Sequence, residues 1–334
     1  PTLSAPTLSA PTLPPATGRP VRQVTRGGAA VAAHRAGAAV AARLPAAWCR
    51  DVAEGVAAVA VRAPRMAGRR EMAARHLQRV HGGGLGRAEL ARLTGDCFAS
   101  YARYWAESLR LPGLGAAEVD AGFACRGLDH LEAAAEAGRG AILALPHLGG
   151  WEWGGTWLVH NGYRVTVVVE PLQPPALFDW FSGVRRRLGM EVVAVGPAAG
   201  RQALAALREN SVLCLLCDRL VGGAAGVEVE FFGERTRLPA GPVTLALRSG
   251  AALLPAAVYF GAGADAHVGV VRPPVPVART ARLRDDVVEG TQRLAAELEG
   301  LIRRAPTQWH ILQPNWPSDR QAAPVRQRAR RRAR

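Results

Sequence analysis

The stretch Ala141-Ile-Leu-Ala-Leu-Pro146-His147-Leu-Gly149-Gly150-Trp151-Glu152-Trp-Gly-Gly155 decides the fold. Five apolar residues end at a proline, the pattern of a buried strand. The run after the two glycines reads as a helix reaching residue 161. His147 is thereby delivered to the edge of a sheet, with Glu152 in the first turn of the next helix. Side chains five apart on one helix point away from each other. A turn placed before the helix, however, folds the imidazole back towards the Glu152 carboxylate. A carboxylate on an imidazole fixes its tautomer, as a general base acting on a hydroxyl requires. Gly149 and Gly150 let the backbone approach a ligand closely, and N–H groups at a helix start suit a developing oxyanion.

Working outward, strands are expected over 163–169, 191–195, 212–217, 227–232, 253–260 and 267–271. Helices are expected over 128–137, 176–188, 201–209, 243–249 and 282–304. Alternation of this kind predicts an α/β fold with a central, largely parallel sheet flanked by helices. Residues 28–110 read as helical instead, with arginines on one side and Tyr101, Tyr104 and Trp105 on another. Two readings of that portion stand: helices lying in a membrane interface, or helices packed on the sheet with a solvated basic face. Residues 1–27 repeat Pro-Thr-Leu-Ser-Ala and are expected to be disordered, as is an Arg-rich tail over 319–334. The domain expected between them covers 28–318, with the α/β core over 123–318. The sequence opens on Pro1 rather than Met, which leaves the true start open.

Composition narrows the partners. The formal net charge is +15, and every one of the 42 basic Lys+Arg positions is Arg. Such a surface fits an anionic membrane, a nucleic acid or a polyanionic substrate. No nucleic-acid motif accompanies the charge, so no nucleic acid is expected; tethering of the tail to anionic lipid is the expected use. No window reaches the roughly 18 consecutive apolar residues a spanning helix needs, and no signal peptide is recognisable. The 5 cysteines have no framework spacing, Cys214 and Cys217 read as buried strand residues, and a reducing cytoplasm fits. No His/Cys cluster has metal spacing, and neither a G-x-S-x-G elbow nor a P-loop is present.

A second set of blocks adds a resemblance. Cys217-Asp218-Arg219, then Gly226-Val-Glu228-Val-Glu-Phe-Phe-Gly233, then Leu238-Pro-Ala-Gly-Pro242 follow the His147-x4-Glu152 element. In that order they resemble the bacterial lysophospholipid and lipid A biosynthesis acyltransferases. The closing Gln308-Trp-His-Ile-Leu-Gln-Pro-Asn-Trp316 is similar to the C-terminal box of the actinobacterial branch. Together the blocks span roughly 28–318. The resemblance implies a glycerolipid acyltransferase-like fold and a peripheral enzyme on the cytoplasmic face of the cell membrane. It would move a fatty acyl group, palmitoyl by expectation, from acyl-CoA to a hydroxyl of a glycolipid such as a mannosylated phosphatidylinositol. No cofactor is expected beyond acyl-CoA as co-substrate, and no metal.

The expected catalytic base is His147, oriented by Glu152 or by Glu228 on a neighbouring strand. Where relatives carry Asp, this chain carries Glu152, so its reach is longer. Gly149, Gly150 and Trp151 are expected against the substrate, Arg185 on the phosphates of coenzyme A, and Asp218 and Arg219 as an ion pair or a grip on a charged donor. With no serine or cysteine paired to a base in any motif, direct transfer is expected. The rival enzyme reading is a lipid A-type or other glycolipid O-acyltransferase. The rival outside enzymes is a basic protein binding anionic lipid or nucleic acid.

Overall fold

A computed structural model describes residues 31–321 apart from 33, 35, 42 and 223; the low-complexity N-terminus and the arginines after residue 321 lie outside the described residues. A first helix, α1, falls within residues 31–41. It is followed by α2 (Ala46–Ala60), α3 (Ala67–Val80), α4 (Arg87–Arg110) and the short α5 (Ala116–Ala121). The alternating part runs β1 (Phe123–Arg126), α6 (Leu128–Glu136), β2 (Ala141–Leu145), α7 (Trp151–His160), β3 (Val165–Val169), α8 (Pro175–Arg187), β4 (Glu191–Ala194), α9 (Ala199–Arg208) and β5 (Val212–Leu216). The chain then forms β6 (Gly226–Phe231), β7 (Glu234–Pro239), α10 (Gly241–Ser249), β8 (Ala252–Phe260), β9 (His267–Val271), α11 (Leu283–Arg303) and α12 (Pro317–Gln321).

Seven strands form one sheet in the order β1-β9-β8-β2-β5-β3-β4. Every neighbouring pair is parallel except β8 with β9. The expected largely parallel sheet flanked by helices is what the chain builds. β2 lies in the middle, and all five of its residues are buried. Ile142 and Ala144 point to one face, where Leu207 of α9, Val243 of α10 and Leu298 of α11 cover them. Leu143 and Leu145 point to the other, onto Leu131 of α6 and Trp157 and Leu158 of α7. Each such leucine taken from water stabilises the fold by about 2 kcal/mol. An unbroken apolar run of this length is what a strand covered on both faces needs.

Two strands, besides the short helices α5 and α12, escaped the sequence reading. β1 is a four-residue strand of alternating burial beside β9, too short to stand out. β7 absorbs Leu238 and Pro239 and pairs antiparallel with β6 as a separate hairpin. Pro239 closes that strand, and Pro242 sits in the first turn of α10.

The helical first part is fastened to the sheet by buried charge. Arg103 Nε donates to Glu107 at 2.6 Å, Glu107 meets His267 Nε2 of β9 at 2.8 Å, and Arg110 reaches Asp265 at 2.6 Å. A second knot holds the C-terminus. Asp319 accepts from Arg79 NH2 at 2.7 Å, contacts His76 Nε2 at 3.3 Å, and takes the N–H groups of Asn315 and Trp316 at 3.0 and 3.1 Å. Asp319, where the Arg-rich tail was expected to begin, is buried and lies in α12.

Burial would raise the Asp319 carboxyl, but the His76, Asn315, Trp316 and Arg79 hydrogen bonds outweigh it and hold it well below the usual carboxylate range. A depressed native pKa gives stability that is complete above the unfolded value, about 4, and is lost as pH falls through the native one. Asp319→Ala should therefore cost about 3 kcal/mol in neutral denaturant unfolding, the scale of a broken buried pair. The gap from wild type should shrink below pH ~4; a gap independent of pH would show that the carboxylate charge is not what holds the knot.

Candidate active site

The register of the sheet makes the site. β2 and β5 pair in parallel with Leu145 opposite Leu216, so the residues two past each end, His147 and Asp218, emerge side by side. His147 Nδ1 donates to Asp218 Oδ1 at 2.6 Å, and the His147 backbone N–H donates to Asp218 Oδ2 at 2.8 Å. Trp309 Nε1 donates to the same Oδ2 at 2.6 Å, and Asn315 Nδ2 donates to the Asp218 carbonyl at 2.9 Å. The carboxylate has no exposed surface, while the imidazole keeps 20% of its own. Burial alone would raise the Asp218 carboxyl; the His147 ring, the Trp309 donor and the His147 amide reverse this and hold it below its ordinary value. An ionised partner at Nδ1 leaves Nε2 as the acceptor nitrogen.

The sequence reading gave this task to Glu152 or Glu228, and both assignments are corrected. Glu152 enters α7 at its second position and points to α8, where Arg185 holds it through Nε at 3.1 Å and through NH2. Tyr104 OH also donates to Glu152, at 3.3 Å. The five-residue spacing thus ties α7 to α8 and α4. Glu228 is on the outward side of the β6–β7 hairpin, exposed and paired with Arg235 at 3.1 Å. Arg185, expected on coenzyme A, is instead neutralised by Glu152. Asp218 and Arg219 do not pair with each other, since Arg219 reaches Glu170 at 2.5 Å.

Gly149 and Gly150 are also reassigned. Gly149 has φ +61°, and a Cβ there would lie 2.0 Å from the Val258 carbonyl, so only glycine permits the turn. Its N–H donates to Gln308 O at 2.9 Å, and that of Gly150 to Val258 O at 3.0 Å. Neither is left for an oxyanion. The first helical N–H groups, those of Trp151 and Glu152, have no hydrogen-bond partner among the described residues. Trp151 stacks on Tyr104 at 4.1 Å and meets the His147 ring edge-on at 5.8 Å.

Under Trp151 lies an apolar cavity of about 90 Å³ between the sheet and α6–α7. Leu145, Leu216 and Val169 line it from the strand ends, Gly154 and Gly155 from α7, and its charged lining is the Glu152–Arg185 pair. Cys125 and Cys214 face the same space, and burial pushes their thiols up to about 11 and about 12. Thiols so disfavoured as thiolates are poor nucleophiles. Ser100 Oγ lies 2.9 Å from His310 Nε2. That histidine is pushed down to about 3, by burial first and the nearby His147 second, with Asp218 opposing. Burial thus disfavours proton uptake by the ring beside Ser100.

A parallel α/β sheet with a carboxylate-held histidine at its carboxyl edge, above an apolar cavity, is the framework of an acyl-transfer enzyme. Residues 24–318 match the bacterial lipid A biosynthesis acyltransferases, and the chain belongs to that family; it is an acyltransferase. It is 41% identical over 224 residues to the phosphatidylinositol mannoside acyltransferase of Mycolicibacterium smegmatis, covering 66% of this chain and 71% of the relative. The corresponding enzyme of Mycobacterium tuberculosis is 42% identical over 228 residues, 66% of this chain and 69% of the relative. The lipid A biosynthesis acyltransferase of Haemophilus influenzae is 27% identical over 186 residues, 55% of each chain.

Substitutions separate the three carboxylates. Asp218→Asn should lower kcat by a factor on the order of 10² to 10⁴, the range for loss of a base or its orienting acid. Glu228→Gln should leave it within about twofold, as for an exposed surface change. Glu152→Gln should lower the melting temperature, because buried Arg185 loses its charge partner. A kcat loss at Glu228→Gln exceeding that at Asp218→Asn would reverse the assignment.

Proposed function

We propose that the enzyme transfers a long-chain acyl group, palmitoyl in the simplest case, from acyl-CoA to a mannose hydroxyl of a phosphatidylinositol mannoside. The observation that carries this reading is the His147–Asp218 pair just past Leu145 and Leu216, two strand-end residues that line the apolar cavity. Two relatives named for that acceptor support the choice of substrate. The acyl tail occupies the cavity, leaving the thioester carbonyl under His147. Nε2 of His147 removes the proton of the sugar hydroxyl as its oxygen attacks the carbonyl carbon. Asp218 holds the imidazolium that forms. The N–H groups of Trp151 and Glu152 face the oxyanion at the positive end of α7. On collapse the C–S bond breaks, and the sulfur leaves as coenzyme A thiol with the proton from His147. No acyl-enzyme intervenes, in keeping with raised thiols at Cys125 and Cys214 and disfavoured proton uptake beside Ser100.

Chemistry on a lipid acceptor calls for a surface that meets lipid. Among the described residues no helix is long and apolar enough to cross a membrane. On α2, however, Trp48, Val52, Val56 and Val59 are exposed by 65%, 60%, 63% and 74%. Their spacing is that of a core-facing stripe, yet it faces outward. Exposed Arg43, Arg62, Arg65 and Arg69 flank α2 in the sequence. His34 of α1 packs against Trp180 and Phe181 of α8 at 5.6 and 5.5 Å, which places α1 against the helix that carries Arg185. We assign this face to the surface of an anionic membrane, with the cytoplasmic leaflet as the location.

Two measurements test this. Labelled palmitoyl-CoA offered with a panel of acceptor lipids should label the phosphatidylinositol mannoside, with intersecting reciprocal plots for the two substrates. Label confined to another glycolipid, or a covalent acyl-enzyme on a residue required for turnover, would contradict the reading. Trp48→Asp with Val52→Asp should abolish sedimentation with anionic vesicles while the fold is retained. Binding by wild type that ignores both lipid charge and salt would remove the electrostatic part of the account.

A further inference from the structure

The C-terminal box is bridged to the turn that carries His147. Leu148 and Trp309 form an antiparallel bridge. On either side of it the Gly149 N–H donates to Gln308 O at 2.9 Å and the His310 N–H to His147 O at 2.8 Å. The Cys97 thiol of α4 donates to the Trp309 carbonyl at 3.4 Å. The buried indole packs among His76 of α3 at 5.4 Å, Phe232 at 5.8 Å and Trp316 at 6.3 Å between ring centroids. Backbone and ring of Trp309 are thus both fixed, and the bridge that fixes them also holds the main chain of His147.

The indole Nε1–H meets Asp218 Oδ2 at 2.6 Å, short even for a donor on an ionised carboxylate. Among the described residues, His147 and Trp309 are the two whose side chains donate to the Asp218 carboxylate. The other titratable groups around the pair are neutral or matched. Burial first and Asp218 second push the Cys217 thiol well above its ordinary value, and burial first pushes His310 down to about 3. Glu152 is paired with Arg185, and Arg219 with Glu170. Behind the indole, His76 and Arg79 face Asp319, and Arg79 also meets Glu234. The charge acting on the His147 ring is therefore chiefly that of Asp218, and the indole is what tempers it.

An anion beside an imidazole favours the protonated ring. A ring that keeps its proton at the working pH cannot accept another, so a base needs a proton affinity suited to that pH. An indole N–H donates and cannot accept, so it draws on the carboxylate charge whichever state the histidine is in. We propose that Trp309 is a positioning residue that acts through Asp218 to restrain the proton affinity of His147. This rests on reading His147 as the base. Without the N–H, more of the carboxylate charge falls on the Nδ1 proton, and the ring holds a second proton to higher pH.

The test uses the full-length enzyme in two altered forms. One is Trp309→Phe; the other carries benzothienylalanine at position 309, which keeps the bicyclic ring and puts sulfur in place of N–H. Two quantities are followed against pH: kcat/KM for palmitoyl-CoA with phosphatidylinositol mannoside, and the nitrogen-15 NMR titration of the His147 ring. In both forms the titration and the acid limb of kcat/KM should move up by about one pH unit. Below that limb the altered forms should be about tenfold slower than wild type, and the deficit should close as pH rises. A packing role alone would lower kcat/KM at every pH and leave the His147 titration where it is in wild type; that result would overturn the proposal. So would a titration that moves down, or loss of the fold with the ring-keeping replacement. A His147 titration that moves up while the acid limb stays would support the action of Trp309 on His147 and overturn the reading of His147 as the base.

Discussion

One buried carboxylate holds three distant parts of the chain in place. Asp218 has no exposed surface and accepts from the His147 ring, the His147 amide and the Trp309 indole. It thereby fastens the end of β2 to the end of β5 and both to the C-terminal box, which folds back across the sheet edge. An ionised group in such a place is stable only when its oxygens are fully satisfied. The two-residue overhang of each strand, which brings up the His147 ring and amide, and the Trp309 indole supply that satisfaction. The same contacts engage Nδ1 of His147 and leave Nε2 as its acceptor nitrogen. Structural need and chemical readiness are one arrangement here.

Other buried charges divide the remaining work. Glu152 with Arg185 and Tyr104 fixes the start of α7 to α8 and α4, which sets where Trp151 stands beside His147. Asp319 with Arg79 and His76 closes the C-terminus onto α3, so that Trp309 is presented to Asp218. Arginine is suited to these posts because its planar fork makes several hydrogen bonds while staying charged. Part of the large positive charge is thus spent inside the molecule; the part around α2 is on the surface, beside exposed apolar side chains.

Much of the fold was legible because its signals are local. The apolar run at 141–145, the glycines after His147 and the helix that follows were readable from their own residues, as were the alternating strands and helices through 271. The acyltransferase family was legible in blocks of motif. The partner of His147 was not, because it sits 71 positions away and only strand register brings it near. Had β2 been paired with β5 from 145 opposite 216, adding two to each would have led to Asp218. Glu152 misled because spacing along a chain says nothing about which way a helix faces once a left-handed glycine precedes it. β1 was too short to announce itself, although its first residue, Phe123, forms a wall of the cavity.

The central claim is that Asp218 fixes His147 as a base with its proton on Nδ1. Nitrogen-15 NMR of enzyme labelled at histidine reads this directly, through the tautomer of each ring. His147 should carry its proton on Nδ1, with a strongly deshielded proton resonance that persists in Glu152→Gln and disappears in Asp218→Asn. A His147 ring protonated on Nε2 in the resting enzyme, or a deshielded proton untouched by Asp218→Asn, would contradict the account.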